Sequence, residues 1–112
     1  MAYVPDRGHW VWIQFNPQAG HEQAGMRPGL VLSPIAFNRA SGLCFVAPVT
    51  NTRRGFATQV VIPKTEPVSG VVLADHARSL DYKARAVKFI GVASSDVLED
   101  VVAIVTSILD PE

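Results

Sequence analysis

Residues 22–34 read EQAGMRPGLVLSP, a polar, glycine-containing loop that runs directly into a short apolar strand. The apolar run that Pro34 ends is typical of a strand covered on both faces. Pro28 restricts Arg27 to extended backbone, so its guanidinium starts from a fixed point at the strand's beginning. Glu22 lies five positions earlier. A guanidinium suits a phosphate and a carboxylate accepts a proton, so the pair indicates phosphate chemistry; a surface ion pair of Arg27 is the alternative.

Short apolar segments on both sides of this stretch predict a β-rich fold. Strands are predicted at residues 9–15, 29–33, 43–47, 58–62, 70–74 and 86–91, and most of them end at proline or glycine. This spacing indicates a small barrel or a strongly bent sheet. In the first strand Val11, Ile13 and Phe15 face one way, and Trp10 and Trp12 face the other. Residues 35–41 form a connection in which one helical turn is an option.

The C-terminal part of the chain has the pattern of an amphipathic helix. Ser94, Ser95 and Asp96 offer side-chain oxygens to the unpaired amides of a helix start. Apolar residues then recur at helical spacing up to Leu109, and we expect this helix to lie on the sheet. No linker or repeat divides the sequence. Residues 1–112 are therefore predicted to form a single domain, mainly β with a C-terminal α-helix.

The composition limits the classes of function. The 112 residues are 48% hydrophobic and 18% charged, which is the composition of a globular protein. The formal net charge is zero, so the protein has no bulk electrostatic attraction to nucleic acid. A local basic patch is compatible with this balance. The sequence shows neither a signal peptide nor an apolar run near the ~20 residues that cross a bilayer, so we expect a cytoplasmic protein with no membrane partner. Cys44 is interpreted as a buried hydrophobic residue rather than a reactive thiol.

Several loop side chains have the chemistry that a phosphate substrate requires. His21 and Glu22 can accept a proton from a hydroxyl group. The hydroxyls of Thr50 and Thr52 either donate to a phosphate oxygen or cap their own turn. The neighbouring residues Asp75 and His76 form either an acid/base pair or a solvated turn. The three histidines are scattered, and no phosphate-binding glycine loop, dinucleotide fingerprint or Cys-x-x-Cys is present, so no metal or other cofactor is expected.

Basic and aromatic side chains offer a surface for nucleic acid. The basic residues form two groups that, on one face, would follow a nucleic-acid backbone despite the zero net charge. The aromatic side chains either stack on unpaired bases or belong to the core. The first basic group is Arg53 and Arg54, the second is Arg78, Lys83, Arg85 and Lys88, and the aromatic residues are Trp10, Trp12 and Phe37.

Together these segments resemble the MazF/PemK family of toxin endoribonucleases, close to its chromosomal MazF branch, over almost the whole chain. The most specific part is Glu22-Gln23-Ala24-Gly25-x-Arg27-Pro28. The other matching segments are Tyr3-Val4-Pro5-Asp6-x-Gly8, Trp10-Val11-Trp12-Ile13-Gln14-Phe15-Asn16-Pro17, Val31-Leu32-Ser33-Pro34, Asn38 with Gly42, Pro48-x-Thr50, and Gly70-Val71-Val72-Leu73-Ala74-Asp75-His76-x-Arg78-Ser79.

The resemblance implies a fold, an activity and partners. The fold is the SH3-like, twisted small barrel of the MazF/PemK/CcdB type, working as a homodimer. The activity is sequence-specific, metal-independent cleavage of single-stranded RNA, chiefly mRNA, and the cognate antitoxin is the inhibitory partner. In a dimer, two copies place two sets of arginines along one groove, which answers the objection from net charge.

The resemblance also implies roles for individual residues. The RNA 2′-hydroxyl attacks the adjacent phosphorus and leaves a 2′,3′-cyclic phosphate and a 5′-hydroxyl. Arg27 stabilises the charged intermediate or acts as the acid, and because arginine is almost never deprotonated the first role is favoured. Thr50 donates to a phosphate oxygen and Glu22 is the candidate base. The residues expected to contact RNA are His21, Gln23, Asn38, Thr52, Arg53, Arg54, Asp75, His76, Arg78 and Arg85.

One departure from the family and two alternative functions remain open. Some PemK-branch relatives place an arginine two residues before the aspartate that matches Asp75, but Leu73 stands there, which weakens a catalytic role for Asp75. A gyrase-inhibiting toxin like CcdB shares the fold. Toxins of that kind resemble one another in ending with Trp-Gly-Ile, whereas this chain ends with Leu-Asp-Pro-Glu. A plain SH3-like binding module needs an aromatic groove, and the chain is 8% aromatic.

Overall fold

Strands dominate the fold, as the sequence predicts. The computed structural model describes residues 2–16 and 25–111. The strands are β1 (His9–Gln14), β2 (Met26–Val31), β3 (Leu43–Thr50), β4 (Gln59–Val61), β5 (Val71–Leu73), β6 (Arg78–Asp81) and β7 (Lys88–Val92). The helices are α1 (Ile35–Ser41) and α2 (Ser95–Leu109), and a 3₁₀ turn occupies Ala74–His76. The predicted class, mainly β with a C-terminal helix, is confirmed.

The strands form one bent antiparallel sheet in which β3 is central. Its order is β4-β5-β3-β2-β1-β7, and β6 also pairs with β3. One edge of β3 pairs with β2. The other edge pairs with β6 along residues 43–46 and with β5 at Val49 and Thr50, so the sheet bends where β3 changes neighbour. Among the described strands, β4 and β7 stay at opposite ends, so the barrel-like sheet is open.

Both faces of the sheet are covered, which the continuous apolar runs predict. One core cluster contains Trp10, Leu30 and Val49 together with Val97 and Val101 of α2. The second cluster lies on the other face and contains Val11, Ile13, Phe15, Val31, Cys44, Val46, Leu80 and Tyr82. The alternation predicted for β1 therefore separates two cores instead of a core from solvent.

Helix α2 is fixed at its N-terminus by side chains from two parts of the chain. The Ser94 hydroxyl accepts a hydrogen bond from the Val97 amide at 3.3 Å, which confirms the predicted cap. Glu66 accepts the indole N–H of Trp10 at 2.8 Å through one carboxylate oxygen and the Ser94 amide at 3.2 Å through the other. The carboxylate thus connects β1 to the helix start.

The structure adds one strand to the predicted elements and forms a helix in one predicted connection. Strand β6 was not predicted, because Leu80 is the one apolar residue among its four. The connection at residues 35–41 is a seven-residue helix that ends at Gly42, whose φ of 74° lies in the left-handed region. Trp10 is buried in the core, but Trp12 is 44% exposed.

No helix within residues 2–16 and 25–111 is long and apolar enough to cross a membrane.

Candidate functional site

The ladder between β2 and β3 brings the two main candidates to neighbouring positions. It pairs Gly29 with Pro48 and Val31 with Val46. The ladder ends at the pair of Gly29 with Pro48, and Arg27 and Thr50 each lie two residues beyond that pair in their own strands. Side chains alternate along a strand, so both emerge on the face that carries Val31 and Val46. A guanidinium and a hydroxyl that are distant in sequence are therefore carried by two paired strands on the same face of the sheet.

The Thr50 hydroxyl is held by its own turn. Its oxygen accepts a hydrogen bond from the Thr52 amide at 3.2 Å, and the residue is 8% exposed. This is the turn-capping role that the sequence offered as an alternative. A hydroxyl that accepts one bond still has a proton to donate, so capping fixes the group and leaves its donor available for a phosphate oxygen.

Thr50 also lies at the edge of an open cleft of about 500 Å³. Five of the residues that the sequence singled out line it, and they come from the end of β3, the following loop and the 3₁₀ turn. These five are Thr50, Thr52, Arg54, Asp75 and His76. The Arg54 amide donates to the Gln59 side chain at 2.9 Å, which ties the loop to β4. Arg53 is exposed on the same loop but does not line the cleft.

Asp75 and His76 face each other at the cleft wall. The Asp75 Oδ1 and His76 Nε2 atoms are 3.9 Å apart, which is ion-pair range for a protonated histidine but too long for a hydrogen bond. The Nδ1 atom of His76 is buried and has no hydrogen-bond partner within the described part of the chain. Leu73, which replaces the arginine of some relatives, is buried in the same wall.

Asn38 does not lie at this cleft. It is fully buried, and its amide nitrogen donates to the carbonyls of Pro5 at 2.8 Å and Ser33 at 3.0 Å. Its side-chain oxygen accepts the Ser33 hydroxyl at 2.6 Å, and its carbonyl accepts the Tyr82 hydroxyl at 3.1 Å. These bonds join the N-terminal segment, α1 and the 82–85 turn, so Asn38 has a structural role and presents no atom to RNA.

Arg78 and Arg85 contact backbone carbonyls at the end of β1. Arg78 donates to the carbonyl of Phe15, and Arg85 donates to the carbonyls of Gln14 and Asn16. Neither arginine lines the cleft. Their partners are backbone atoms that no sequence pattern identifies. The candidates His21, Glu22 and Gln23 fall outside the described residues.

Four residues that line the cleft were not predicted. Phe56, Thr58, Gln59 and Leu73 complete its wall, and Phe56 is 60% exposed. The sequence does contain a signal for Phe56, since it is the one aromatic residue in the polar segment between β3 and β4. An exposed aromatic ring beside a nucleic-acid site offers a stacking surface for an unpaired base.

Two titratable groups elsewhere are kept neutral by burial. Burial raises the pKa of the Cys44 thiol to about 12, so the thiol stays protonated at neutral pH, as the hydrophobic interpretation predicts. The pKa of Tyr3 is also raised, chiefly by burial and further by Cys44 and Asp6. Its hydroxyl lies 2.7 Å from Nδ1 of His9. Neither group supplies an ionised nucleophile.

The comparisons with known proteins agree on one family. The sequence profile described as "PemK-like, MazF-like toxin of type II toxin-antitoxin system" matches residues 6–109. The endoribonuclease toxin MazF of Escherichia coli K12 is 39% identical over 97 residues, which cover 87% of this chain and 86% of that protein. The crystal structure of MazF from Deinococcus radiodurans has a TM-score of 0.93 at 51% identity and covers 96% of this chain and 98% of its own. A MazE–MazF crystal structure from the same organism has a TM-score of 0.87 at 50% identity, with 99% and 100% covered.

Proposed function

Because the chain belongs to the family of PemK-like, MazF-like toxins of type II toxin–antitoxin systems, we propose that it is an endoribonuclease toxin. Its substrate is single-stranded mRNA, cut at short sequences, and the consequence is inhibition of translation. The observation that supports the chemistry is that Thr50 lines a polar cleft and belongs to a strand paired with the strand of Arg27, with both side chains on one face by alternation. The E. coli relative named above is described as an endoribonuclease toxin, which favours RNA cleavage over inhibition of gyrase.

In the proposed mechanism the RNA supplies its own nucleophile. The 2′-oxygen forms a bond to the adjacent phosphorus while the bond from phosphorus to the 5′-oxygen breaks, so the products are a 2′,3′-cyclic phosphate and a 5′-hydroxyl. The Glu22 carboxylate takes the 2′ proton, the leaving 5′-oxygen gains a proton from water, and the hydroxide that remains takes the proton held on Glu22, which regenerates the carboxylate. Arg27 and the Thr50 hydroxyl stabilise the negative charge that develops on the phosphoryl oxygens.

The loop after β3 is the proposed RNA-binding surface. Residues 51–57 are all exposed, and they contribute Thr52, Arg54 and Phe56 to the cleft. Arg53 and Arg54 contact phosphates, and Phe56 stacks on an unpaired base. Asp75 and His76, which line the same cleft from the 3₁₀ turn, offer polar atoms that can bind base edges.

The proposed partners are an antitoxin and a second copy of the chain. The MazE–MazF structure from D. radiodurans has the same toxin fold, so we expect a MazE-like antitoxin to bind and inhibit this protein in the cytoplasm. A homodimer doubles the set of arginines along the RNA path. Light scattering at micromolar concentration should give twice the 12.1 kDa mass of one chain.

The experiment compares matched oligonucleotides in EDTA. Sequencing the 5′ ends of fragments made from a mixed RNA substrate first defines a cleavage site. An all-RNA oligonucleotide with that site should be cut to 5′-hydroxyl and cyclic-phosphate ends, whereas the same oligonucleotide with one 2′-deoxy residue before the scissile phosphate should remain intact. Equal cutting of both substrates would exclude attack by the 2′-hydroxyl.

Variants assign the reaction to the proposed residues. Arg27→Ala and Thr50→Ala should each lower kcat by about 10²–10³-fold, because each removes a donor to the developing charge. Arg39→Ala and Thr106→Ala are matched controls, since both side chains are exposed on helices and neither lines the cleft. Wild-type activity in Thr50→Ala would remove the hydroxyl from the mechanism.

A further inference from the structure

Arg85 is bonded to the end of β1 through both its backbone and its side chain. The amide of Gln14 donates to the Arg85 carbonyl at 3.1 Å. In return, Nη1 of Arg85 donates to the Gln14 carbonyl at 3.1 Å and also to the carbonyl of Asn16. The planar guanidinium thus spans two carbonyls at the point where the chain leaves the sheet.

Arg78 binds the carbonyl between those two. Its Nη2 donates to the Phe15 carbonyl, and its guanidinium carbon lies 5.7 Å from the centroid of the Phe15 ring. Phe15 is itself fully buried in the second core cluster. Three consecutive carbonyls, of residues 14 to 16, are therefore held by two arginines from β6 and the turn after it.

These three residues in turn fix the start of β2. The Phe15 amide donates to the Gly25 carbonyl at 2.9 Å, and the Gly25 amide donates to the Asn16 side chain at 2.9 Å. The next pairs of the β1–β2 ladder are Gln14 with Met26 and Ile13 with Arg27. A continuous set of bonds therefore leads from Arg78 and Arg85 to the backbone of Arg27.

We propose that Arg78 and Arg85 are positioning residues for Arg27, and that they do not bind RNA phosphates. This inference rests on the proposed function. The two side chains fix the backbone at the end of β1, and this backbone in turn fixes the position of Arg27 on β2. A misplacement of about 1 Å at a reacting group costs up to ~10²-fold in rate. The two arginines therefore contribute to catalysis without contacting the substrate.

Lysine substitutions separate the two roles. Arg78→Lys and Arg85→Lys keep the charge but lose the planar fork that holds carbonyls in fixed directions. A positioning role predicts that kcat for the mapped RNA falls by about tenfold to a hundredfold. A phosphate contact predicts that lysine substitutes with little change in kcat. Arg39→Lys is the matched control, because Arg39 is exposed on α1 and belongs to neither basic group.

The salt dependence of binding supplies a readout that a positioning role does not change. Binding of the uncleavable 2′-deoxy oligonucleotide is measured for Arg78→Ala and Arg85→Ala across a series of salt concentrations. Each phosphate contact contributes about 0.7 to the slope of log affinity against log salt for a single strand. We expect wild-type slopes together with faster amide hydrogen exchange at Phe15 and Gly25.

The outcomes are distinct. Slopes that fall by about 0.7 per arginine, with kcat retained in the lysine variants, would overturn the proposal in favour of RNA contacts. If an alanine variant does not fold, its lysine counterpart decides through kcat. If the wild-type protein cuts no RNA, the proposed function fails. Hydrogen exchange at Phe15 and Gly25 then still tests whether the two arginines hold the end of β1 in place.

Discussion

Replacing Gly70 with alanine tests how closely the rate depends on the placement of Thr50. Gly70 has a φ of 115°, and a Cβ atom added there would lie 2.4 Å from the Thr50 carbonyl oxygen and 3.1 Å from its carbonyl carbon. A Cβ atom essentially never approaches a heavy atom closer than 3.0 Å, so residue 70 and the Thr50 carbonyl must move apart by at least 0.6 Å. Because Thr50 carries both the carbonyl and the hydroxyl, we expect this shift to displace the hydroxyl.

Two magnitudes follow for Gly70→Ala. The positive φ costs an alanine about 1–3 kcal/mol of stability, which lowers Tm by about 5–15 °C in a domain of this size. Because a displacement of about 1 Å costs ~10²-fold in rate, the smaller displacement in this variant should lower kcat about tenfold. The assays are thermal unfolding at matched protein concentration and cleavage of the mapped RNA at a temperature where both proteins are folded.

Gly42→Ala is the matched control. Gly42 also has a positive φ, of 74°, but a Cβ atom there would meet nothing within 4 Å. This variant should lose about 1 kcal/mol of stability and keep its kcat. If Gly70→Ala also kept the wild-type kcat, with only a lower Tm, the placement of Thr50 would not limit the rate and the reasoning would be refuted.

Three further predictions concern stability. Asn38→Ala leaves the carbonyls of Pro5 and Ser33 without their donor, so the free energy of unfolding in urea should fall by about 2–4 kcal/mol, while KM for RNA stays unchanged in the folded protein. Ser94→Ala removes the cap of α2 and should cost about 1 kcal/mol in the same measurement; an unchanged midpoint would mean that the cap contributes nothing. Burial raises the pKa of Cys44 from 9.0 to about 12, so unfolding releases a proton between these values. The free energy of unfolding should therefore decrease as pH rises above about 9, and Cys44→Ala should show a smaller decrease.

The fold was predictable for those elements whose own residues show a hydrophobic or capping pattern. The alternation in β1 and the apolar runs of β2 and β3 define strands without outside information, and Ser94 marks the start of α2. Strand β6 was missed because it is a strand only by pairing with β3, and its exposed positions carry polar residues. The helix α1 was underestimated because Pro34, which precedes it, offers no capping side chain.

The candidate site was predictable to the extent that its residues bear chemistry of their own. Thr52, Arg54 and Asp75 were identified from residue type and resemblance, and they do line the cleft together with Thr50. Arg78 and Arg85 have the same chemistry but bind backbone carbonyls about 70 positions away in sequence. Their role depends on which chain segments meet in the fold, and residue type alone does not encode that.

The end of β3 separates two properties that a nuclease must combine. Thr50 is the last residue of β3, and its pairing with Val71 of β5 fixes its backbone in the sheet. The exposed loop begins at the very next residue and contributes little to the core. We therefore expect substitutions in residues 51–57 to alter which RNA sequences are read while the Thr50 hydroxyl stays in place. If the proposed roles hold, changes of target preference are nearly independent of changes in catalytic power.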